Sequence, residues 1–287
     1  MKINSKTKIY GLVGHPLEHT ASPAMHNAAF RALGLNAVYL AFDIEPMVFE
    51  DAIKGLKALK VGGFNVTIPY KERIIPLLTH VDSSAAKVGA VNTVKLDDSL
   101  LKGYNTDVIG FLAPLLELDL KLDEITALIL GAGGAAKACV RALLDAGCRE
   151  IIVLNRSLER ALNLFKQHNN TNILKVGPLN EESLKEALSR ARLVVNTTPV
   201  GMYPNVDESI IPKVLLRSDL IVYDLVYRPV ETRLIKEAKE AGATTISGYK
   251  MLLEQAAESF RIWTGLEPPK DVMLKALKLE LGVEDVG

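Results

Sequence analysis

The sequence predicts a two-domain α/β protein, and three observations carry that reading. An apolar run at 128–130 breaks on a glycine turn and continues into an Ala-rich stretch. From residue 125 to 247, strand and helix patterns alternate. A separate alternation of the same kind fills the first hundred residues. Elements alternating at this length build parallel sheets through right-handed crossovers. The later run reads as a doubly wound, Rossmann-like dinucleotide-binding domain. The earlier one reads as an α/β domain with a mixed, mainly parallel sheet. A chain of 287 residues, 48% apolar, is long enough for two modest cores.

The elements follow in order from periodicity and punctuation. Strands are expected at 9–13 and 37–42, with a helix between them at 22–33. An amphipathic helix at 45–59 leads to a strand at 61–66. Strands at 91–96 and 99–104 flank the polar turn Asp97-Asp98, and a helix at 108–118 bridges to the second run. There the strands fall at 127–130, 150–154, 173–176, 193–196, 220–225 and 244–247, with helical patterns between most of them. The first of those helices, 135–146, stops at Gly147. Beyond Gly248 come a helix at 249–263, Pro268-Pro269, and a last helix at 271–281. Two such domains are expected to leave a cleft between them, where small-molecule sites form.

Composition removes several function classes. Basic and acidic residues number 34 each, so the net charge is zero and no basic field exists to draw nucleic acid. The apolar run at 9–13 is too short for a signal peptide, and no stretch approaches a membrane span. Cys139 and Cys148 flank one helix without metal spacing, which suits a reducing, cytoplasmic compartment.

The glycine turn carries the most chemistry. Gly131, Gly133 and Ala136 match G-x-G-x-x-A: a tight turn, close approach of a pyrophosphate, and close helix–strand packing. The bare N–H groups of the helix that follows suit a phosphate. About 20 residues further on, where this fold reads the adenine ribose, an acidic residue would accept from a 2′-OH. The chain has Asn155-Arg156-Ser157 there, with Arg160 one turn later. Cations at that point pair with a 2′-phosphate, so the cofactor is read as NADP(H). The competing reading is a solvated helix start.

Three constellations lie in the first domain. In Gly63-Phe64-Asn65-Val66-Thr67-Ile68-Pro69-Tyr70-Lys71, a strand ends and Pro69 is expected to open a helix with Lys71 in its first turn. The helix terminus would bring the lysine towards a useful acid/base range. Alternatively, Lys71 points to solvent or pairs with Glu72 or Glu50. Asn92 and Asn105 can each donate and accept, and Asp107 is either the N-cap of the next helix, a partner that holds the Lys71 ammonium, or both. Thr20 and Ser22 precede Pro23 at a helix start, where hydroxyls and free N–H groups suit a carboxylate; Ser22 as a plain cap is the alternative. His15, His19 and His26 have Pro16 and Pro23 among them, which breaks regular ligand spacing, so no metal site is expected.

At these residues the chain resembles the shikimate dehydrogenase family over almost its whole length. The resemblance rests on His19-Thr20-Ala21-Ser22-Pro23 with His26-Asn27, Asn65 to Lys71, Asn92, Asn105-Thr106-Asp107, Gly131 to Ala136, and Asn155-Arg156-Ser157. Asn196-Thr197-Thr198-Pro199-Val200-Gly201-Met202, Asp224-Leu225-Val226-Tyr227 and Gly248 to Gln255 complete it. It implies Lys71 as acid/base at the C3 oxygen, partnered by Asp107. It implies Thr20, Ser22 and Tyr227 on the substrate carboxylate, and Thr67, Asn92, Asp107 and Gln255 on ring hydroxyls. The nucleotide would meet Gly131, Ala132, Gly133, Gly134, Ala135, Asn155, Arg156, Ser157, Arg160 and Thr197, with Leu225 and Gly248 at the nicotinamide. The last helices would return to the first domain, giving a substrate-binding and catalytic domain of 1–107 plus 248–287 and an NADP domain of 108–247. The implied activity is reversible NADPH-dependent reduction of 3-dehydroshikimate to shikimate in aromatic amino-acid biosynthesis. A quinate/shikimate dehydrogenase is the close alternative and a non-catalytic shikimate-sensing module the remote one. The family usually has serine where this chain has Thr20, and the added methyl bears on quinate with its extra hydroxyl. Among partners only the small-molecule substrate is expected, with no nucleic acid and no membrane; a homodimer is left open.

Overall fold

The structure, a computed structural model, describes residues 3–17, 20–168 and 172–283. It divides into two compact units, one of residues 1–107 and 253–287, the other of 108–252. The second crossing thus lies inside a helix, at 253, five residues later than the expected break at 248.

The first unit is built on a six-stranded sheet in the order β2-β1-β3-β5-β6-β4. Its strands are β1 (Lys8–Gly14), β2 (Ala37–Asp43), β3 (Gly63–Val66), β4 (His80–Val81), β5 (Thr93–Asp97) and β6 (Leu100–Tyr104). β1 pairs in parallel with β2 and β3, β4 with β6, and β5 runs antiparallel between β3 and β6. The sheet is therefore mixed and mainly parallel. Helix α1 (Ser22–Ala32) follows β1. Helix α2 (Phe49–Ala58) buries Phe49, Ile53 and Leu56, one face at helical spacing, against Phe64, Val66 and Tyr70. The stretch 46–48 is a 3-10 turn opened by Pro46, so the helix expected from 45 starts four residues later.

Strand β4 and helix α3 (Ser83–Val88) were not anticipated. Their signals are local: Asp82 accepts from Ser84 N at 2.9 Å as N-cap, and Gly89 closes the helix at φ 68°. The expected helix at Pro69 does not form. Residues 67–74 run as successive turns, with Tyr70 N donating to Thr67 O and Ile75 N to Glu72 O. The Lys71 carbonyl is taken by Val91 N at 2.7 Å, so it is engaged in pairing at the sheet end rather than with an i+4 amide. Lys71 therefore does not stand in the first turn of a helix of its own.

In the second unit all six strands are parallel, in the order β12-β11-β10-β7-β8-β9. They are β7 (Thr126–Leu130), β8 (Glu150–Asn155), β9 (Leu174–Pro178), β10 (Leu193–Asn196), β11 (Ile221–Asp224) and β12 (Thr244–Ser247). Both faces are covered, as a parallel sheet requires: Leu128, Leu130 and Val194 pack into one core, Ala127, Ile129 and Val195 into the other. Helices α5 (Gly134–Asp145), α6 (Leu158–His168), α7 (Glu181–Arg190) and α8 (Arg233–Glu240) connect the strands. Cys139 lies inside α5 rather than beside it, and both cysteines are buried and outside any disulfide. The chain reverses its direction across the sheet between β7 and β10, so the turns after those strands share one carboxyl edge, the switch point of such sheets. Helices α4 (Asp107–Leu116) and α9 (Gly248–Thr264) carry the chain between the units, and α10 (Lys270–Glu280) follows.

Candidate active site

In the first unit the structure gathers the polar residues of three strand ends. The turn after β3 presents Lys71, and Asp107 is the first residue of α4. Lys71 Nζ donates to Asp107 Oδ2 at 2.6 Å, with the two side chains only 16% and 5% exposed. Asn92, immediately before β5, donates from Nδ2 to Asp107 Oδ1 at 2.8 Å. The carboxylate is thus engaged by Lys71 and Asn92. The helix start is served instead by Asn105, whose Oδ1 accepts from Asp107 N at 3.0 Å while its Nδ2 donates to Ala90 O. A buried ion pair of this kind persists because each charge is matched: removing one partner strands the other in low dielectric.

Thr20 and Ser22 sit at the start of α1, with Ser22 N donating to Thr20 Oγ1 at 3.3 Å. Ala21, not Ser22, is the N-cap, and the Ser22 hydroxyl bonds the buried phenol of Tyr39, which donates to Asn65 Oδ1 at 2.8 Å. Burial holds the Tyr39 phenol well above its ordinary range. Thr67 is half-buried on the turn beyond β3. Gln255 lies one turn before Ser259 on α9, and Ser259 is buried against Thr93, Asn65 and Thr106. Asn65, Thr93 and Ser259 received no role from the sequence, although a polar residue inside an apolar run, as in Gly-Phe-Asn-Val, was a signal. His19 lies outside the described residues. His15 pairs with Asp43 at 2.7 Å, and His26 is buried, stacked 4.4 Å from Tyr39. Among the described residues no three His, Cys, Asp or Glu side chains gather as a metal site would need.

In the second unit Gly131 takes φ +113°, and a Cβ there would stand 2.4 Å from Thr197 Oγ1. Thr197 in turn donates to Leu130 O at 2.8 Å, tying the turns after β7 and β10 together. Gly133 is the N-cap of α5, and a Cβ built on it meets nothing within 4 Å, so the space over the first turn, with Gly134 and Ala135, is open. Ala132 and Ala136 are buried beneath it. Asn155 ends β8 and donates to Ser157 O at 2.9 Å; Arg156, Ser157 and Arg160 are exposed, and neither arginine has an ion-pair partner among the described residues. An open cradle of N–H groups beside two uncommitted cations fits a dinucleotide bearing a 2′-phosphate.

At the same edge Asp224 is wholly buried and accepts from Asn196 Nδ2 at 2.9 Å, Val226 N at 3.1 Å and Thr232 Oγ1 at 2.6 Å. Burial pushes its carboxyl up to about 6 against those hydrogen bonds. The network sets the loop that carries Leu225 and Tyr227, whose phenol burial also raises. A Cβ on Gly248 would stand 2.4 Å from Leu225 O, so only glycine lets that loop close on α9.

A parallel sheet with a phosphate-ready turn, joined to a unit holding a buried Lys–Asp pair, defines a two-domain dinucleotide-dependent oxidoreductase. Residues 12–94 match the shikimate dehydrogenase substrate binding domain, 115–227 the shikimate/quinate 5-dehydrogenase family and 248–278 the shikimate 5′-dehydrogenase C-terminal domain. The NADP(+) shikimate dehydrogenase of Methanothermobacter thermautotrophicus is 44% identical over 277 residues, 96% of this chain and 98% of its own. A crystal structure of a shikimate dehydrogenase in complex with NADP+ is similar at TM-score 0.90 and 44% identity, covering 98% of both chains. The shikimate 5-dehydrogenase of Thermus thermophilus, in complex with NADP(H) and shikimate, is similar at TM-score 0.85 and 38% identity, covering 96% of this chain and 100% of that one. The chain belongs to the shikimate dehydrogenase family.

Proposed function

We propose that this chain catalyses the reversible, NADP(H)-dependent reduction of 3-dehydroshikimate to shikimate, a step of aromatic amino-acid biosynthesis. The observation that carries the reading is the 2.6 Å pair of Lys71 and Asp107, a potential proton donor and its carboxylate partner in a mostly buried site. Bound NADPH supplies the hydride to C3. Lys71, as ammonium, protonates the C3 oxygen, so the carbonyl becomes a hydroxyl without free alkoxide. Asp107, steadied by Asn92, holds that ammonium in place and balances its charge. Thr20, Ser22 and Tyr227 are assigned to the carboxylate, and Thr67, Asn92, Asp107 and Gln255 to ring hydroxyls. Gly131 to Ala135, Asn155 to Ser157, Arg160 and Thr197 are assigned to the nucleotide, with Leu225 and Gly248 at the nicotinamide. Residues 1–107 with the C-terminal helices then form the substrate and catalytic domain, and the doubly wound unit the NADP domain.

Thr20 favours keeping a second reading, turnover of quinate as well, since its methyl alters the volume beside the carboxylate. The cytoplasm is the proposed compartment, supported by the biosynthetic reaction and by two buried cysteines outside any disulfide; no helix among the described residues is long and apolar enough to cross a membrane. A homodimer stays a proposal for light scattering to decide. The test of function is NADP+ reduction with shikimate and quinate side by side and NAD+ as control. Turnover on shikimate with NADP+ and little on quinate is expected. Comparable quinate turnover moves the chain to the dual-specificity reading, and silence on both leaves only a binding module.

A further inference from the structure

We infer that the buried hydroxyls of Thr93, Thr106 and Ser259 close a ring of polar contacts with the Asn92 amide, and that Thr93 and Ser259 are positioning residues that aim Asn92 at Asp107. The inference rests on the reading of Lys71 and Asp107 as the reacting pair.

An asparagine amide can sit in two orientations, and only its partners choose between them. The Asn92 atom that faces the Thr106 backbone N–H at 2.8 Å must be the oxygen, because an N–H only donates. Thr93 Oγ1 gives a second proton to that oxygen at 3.0 Å. Both Asn92 N–H bonds are then free for the other side. One goes to Asp107 Oδ1 at 2.8 Å and the other to Thr106 Oγ1 at 3.0 Å. Thr106 Oγ1 lies 3.2 Å from both Asn92 Oδ1 and Ser259 Oγ, and Ser259 Oγ lies 2.8 Å from Thr93 Oγ1. The four side chains thus close a ring of polar contacts. Asn65 Nδ2 braces it from outside, 3.0 Å from the Thr93 and Ser259 hydroxyls and 3.2 Å from the Asn92 carbonyl, the acceptor-only group that sets its orientation. All four ring members are buried.

The ring has a consequence at the reacting pair. With the amide reversed, its oxygen would face the Asp107 carboxylate and its N–H groups would face the Thr106 N–H. Held as it is, Asn92 occupies Asp107 Oδ1 and leaves Oδ2 to Lys71. A broken member leaves unpaired polar atoms in a dry site. Ser259 also reaches the ring from α9, where its hydroxyl donates to the carbonyl of Gln255, one turn earlier, at 2.9 Å. The same hydroxyl thus registers the Gln255 turn against Asn92.

The experiment compares the full-length wild type with Thr93→Val, Thr93→Ser and Ser259→Ala. Rates with shikimate and NADP+ are expressed per nucleotide-binding site from a NADP+ titration, so that misfolded material does not count. Thr93→Val and Ser259→Ala are expected to lower kcat about 10- to 100-fold, the scale of a misplaced catalytic group, with the NADP+ Kd unchanged. Thr93→Ser restores the hydroxyl and is expected to keep most of the rate. A wild-type kcat in Thr93→Val, or a Thr93→Ser as impaired as Thr93→Val, overturns the inference in favour of simple packing. Should Thr93→Val fail to fold, Ser259→Ala carries the same prediction. Crystal structures of these variants provide a readout without substrate: Asn92 Nδ2 is expected to leave Asp107 Oδ1, and its staying at 2.8 Å overturns the ring. A wild type inactive on shikimate, with that geometric change still seen, sinks the proposed function and leaves the ring standing.

Discussion

Lys71 and Arg156 put opposite demands on a cation. Lys71 is mostly buried and, as the proposed acid, is held in one place by Asp107 at 2.6 Å. Lys71→Ala removes the proton donor and strands Asp107. The kcat is expected to fall by about 10² to 10⁴, the usual worth of general acid–base help, with NADPH affinity unchanged by fluorescence titration. Arg156 is exposed and carries a free guanidinium, ready for a phosphate. Arg156→Asp replaces attraction by repulsion and should raise the KM for NADPH about 10- to 100-fold, the worth of a charged hydrogen bond. The KM for NADH should change little, so the ratio of the two reports whether Arg156 reads the phosphate.

Among the elements, the strand–turn–helix of β7 and α5 depends on one backbone conformation. Gly131 sits at φ +113° with Thr197 Oγ1 where a Cβ would be. Gly131→Ala therefore has to absorb strain and displace the Thr197 hydroxyl from Leu130 O. A loss of about 1–3 kcal/mol in unfolding free energy is expected for a forbidden backbone region, together with a weaker NADP+ Kd by calorimetry. A stable variant with wild-type Kd would show that the turn has slack. The segment after β3 teaches the opposite lesson. Pro69 and a polar first turn looked like a helix start, yet the Lys71 carbonyl was claimed by Val91 N and the segment stayed a chain of turns.

Across the whole molecule, two buried titrating groups oppose each other as pH falls. His26 has no hydrogen-bond partner on either ring nitrogen among the described residues, and burial lowers it from 6.5 to about 3. Below pH 6.5 the unfolded chain takes up the proton and the folded one does not, so stability falls by about 1.4 kcal/mol per pH unit down to about pH 3. Asp224 is raised from 3.8 to about 6, so the folded chain protonates first and gains stability at a similar slope between those values. The two nearly cancel from pH 6 to 4, and net loss concentrates below pH 4. His26→Phe keeps the stack on Tyr39 and removes the opposing slope. Urea midpoints at pH 7, 5 and 4 should then rise on acidification where the wild type stays level. A variant that tracks the wild type would show that His26 is not the group responsible.

The alternation of elements, the two-domain division, the glycine turn and the exposed cations after β8 were legible in the sequence because each is a local pattern. Periodicity, a cap or a bare backbone acts over a few residues, and the chain spells it out there. The Lys71–Asp107 pair was legible only as a possibility, since the two lie 36 residues apart and a carboxylate at a helix start has a local use as a cap. The ring around Asn92 was not legible at all. It exists because β3 and β5 pair with Asn65 opposite Thr93, β5 and β6 with Thr93 opposite Tyr104, and α9 returns Ser259 from 166 residues away. Register and long-range return decide which polar atoms meet. A single buried hydroxyl chooses its partner from whatever those contacts bring within about 3 Å, the reach of a hydrogen bond, so that choice belongs to the tertiary structure alone.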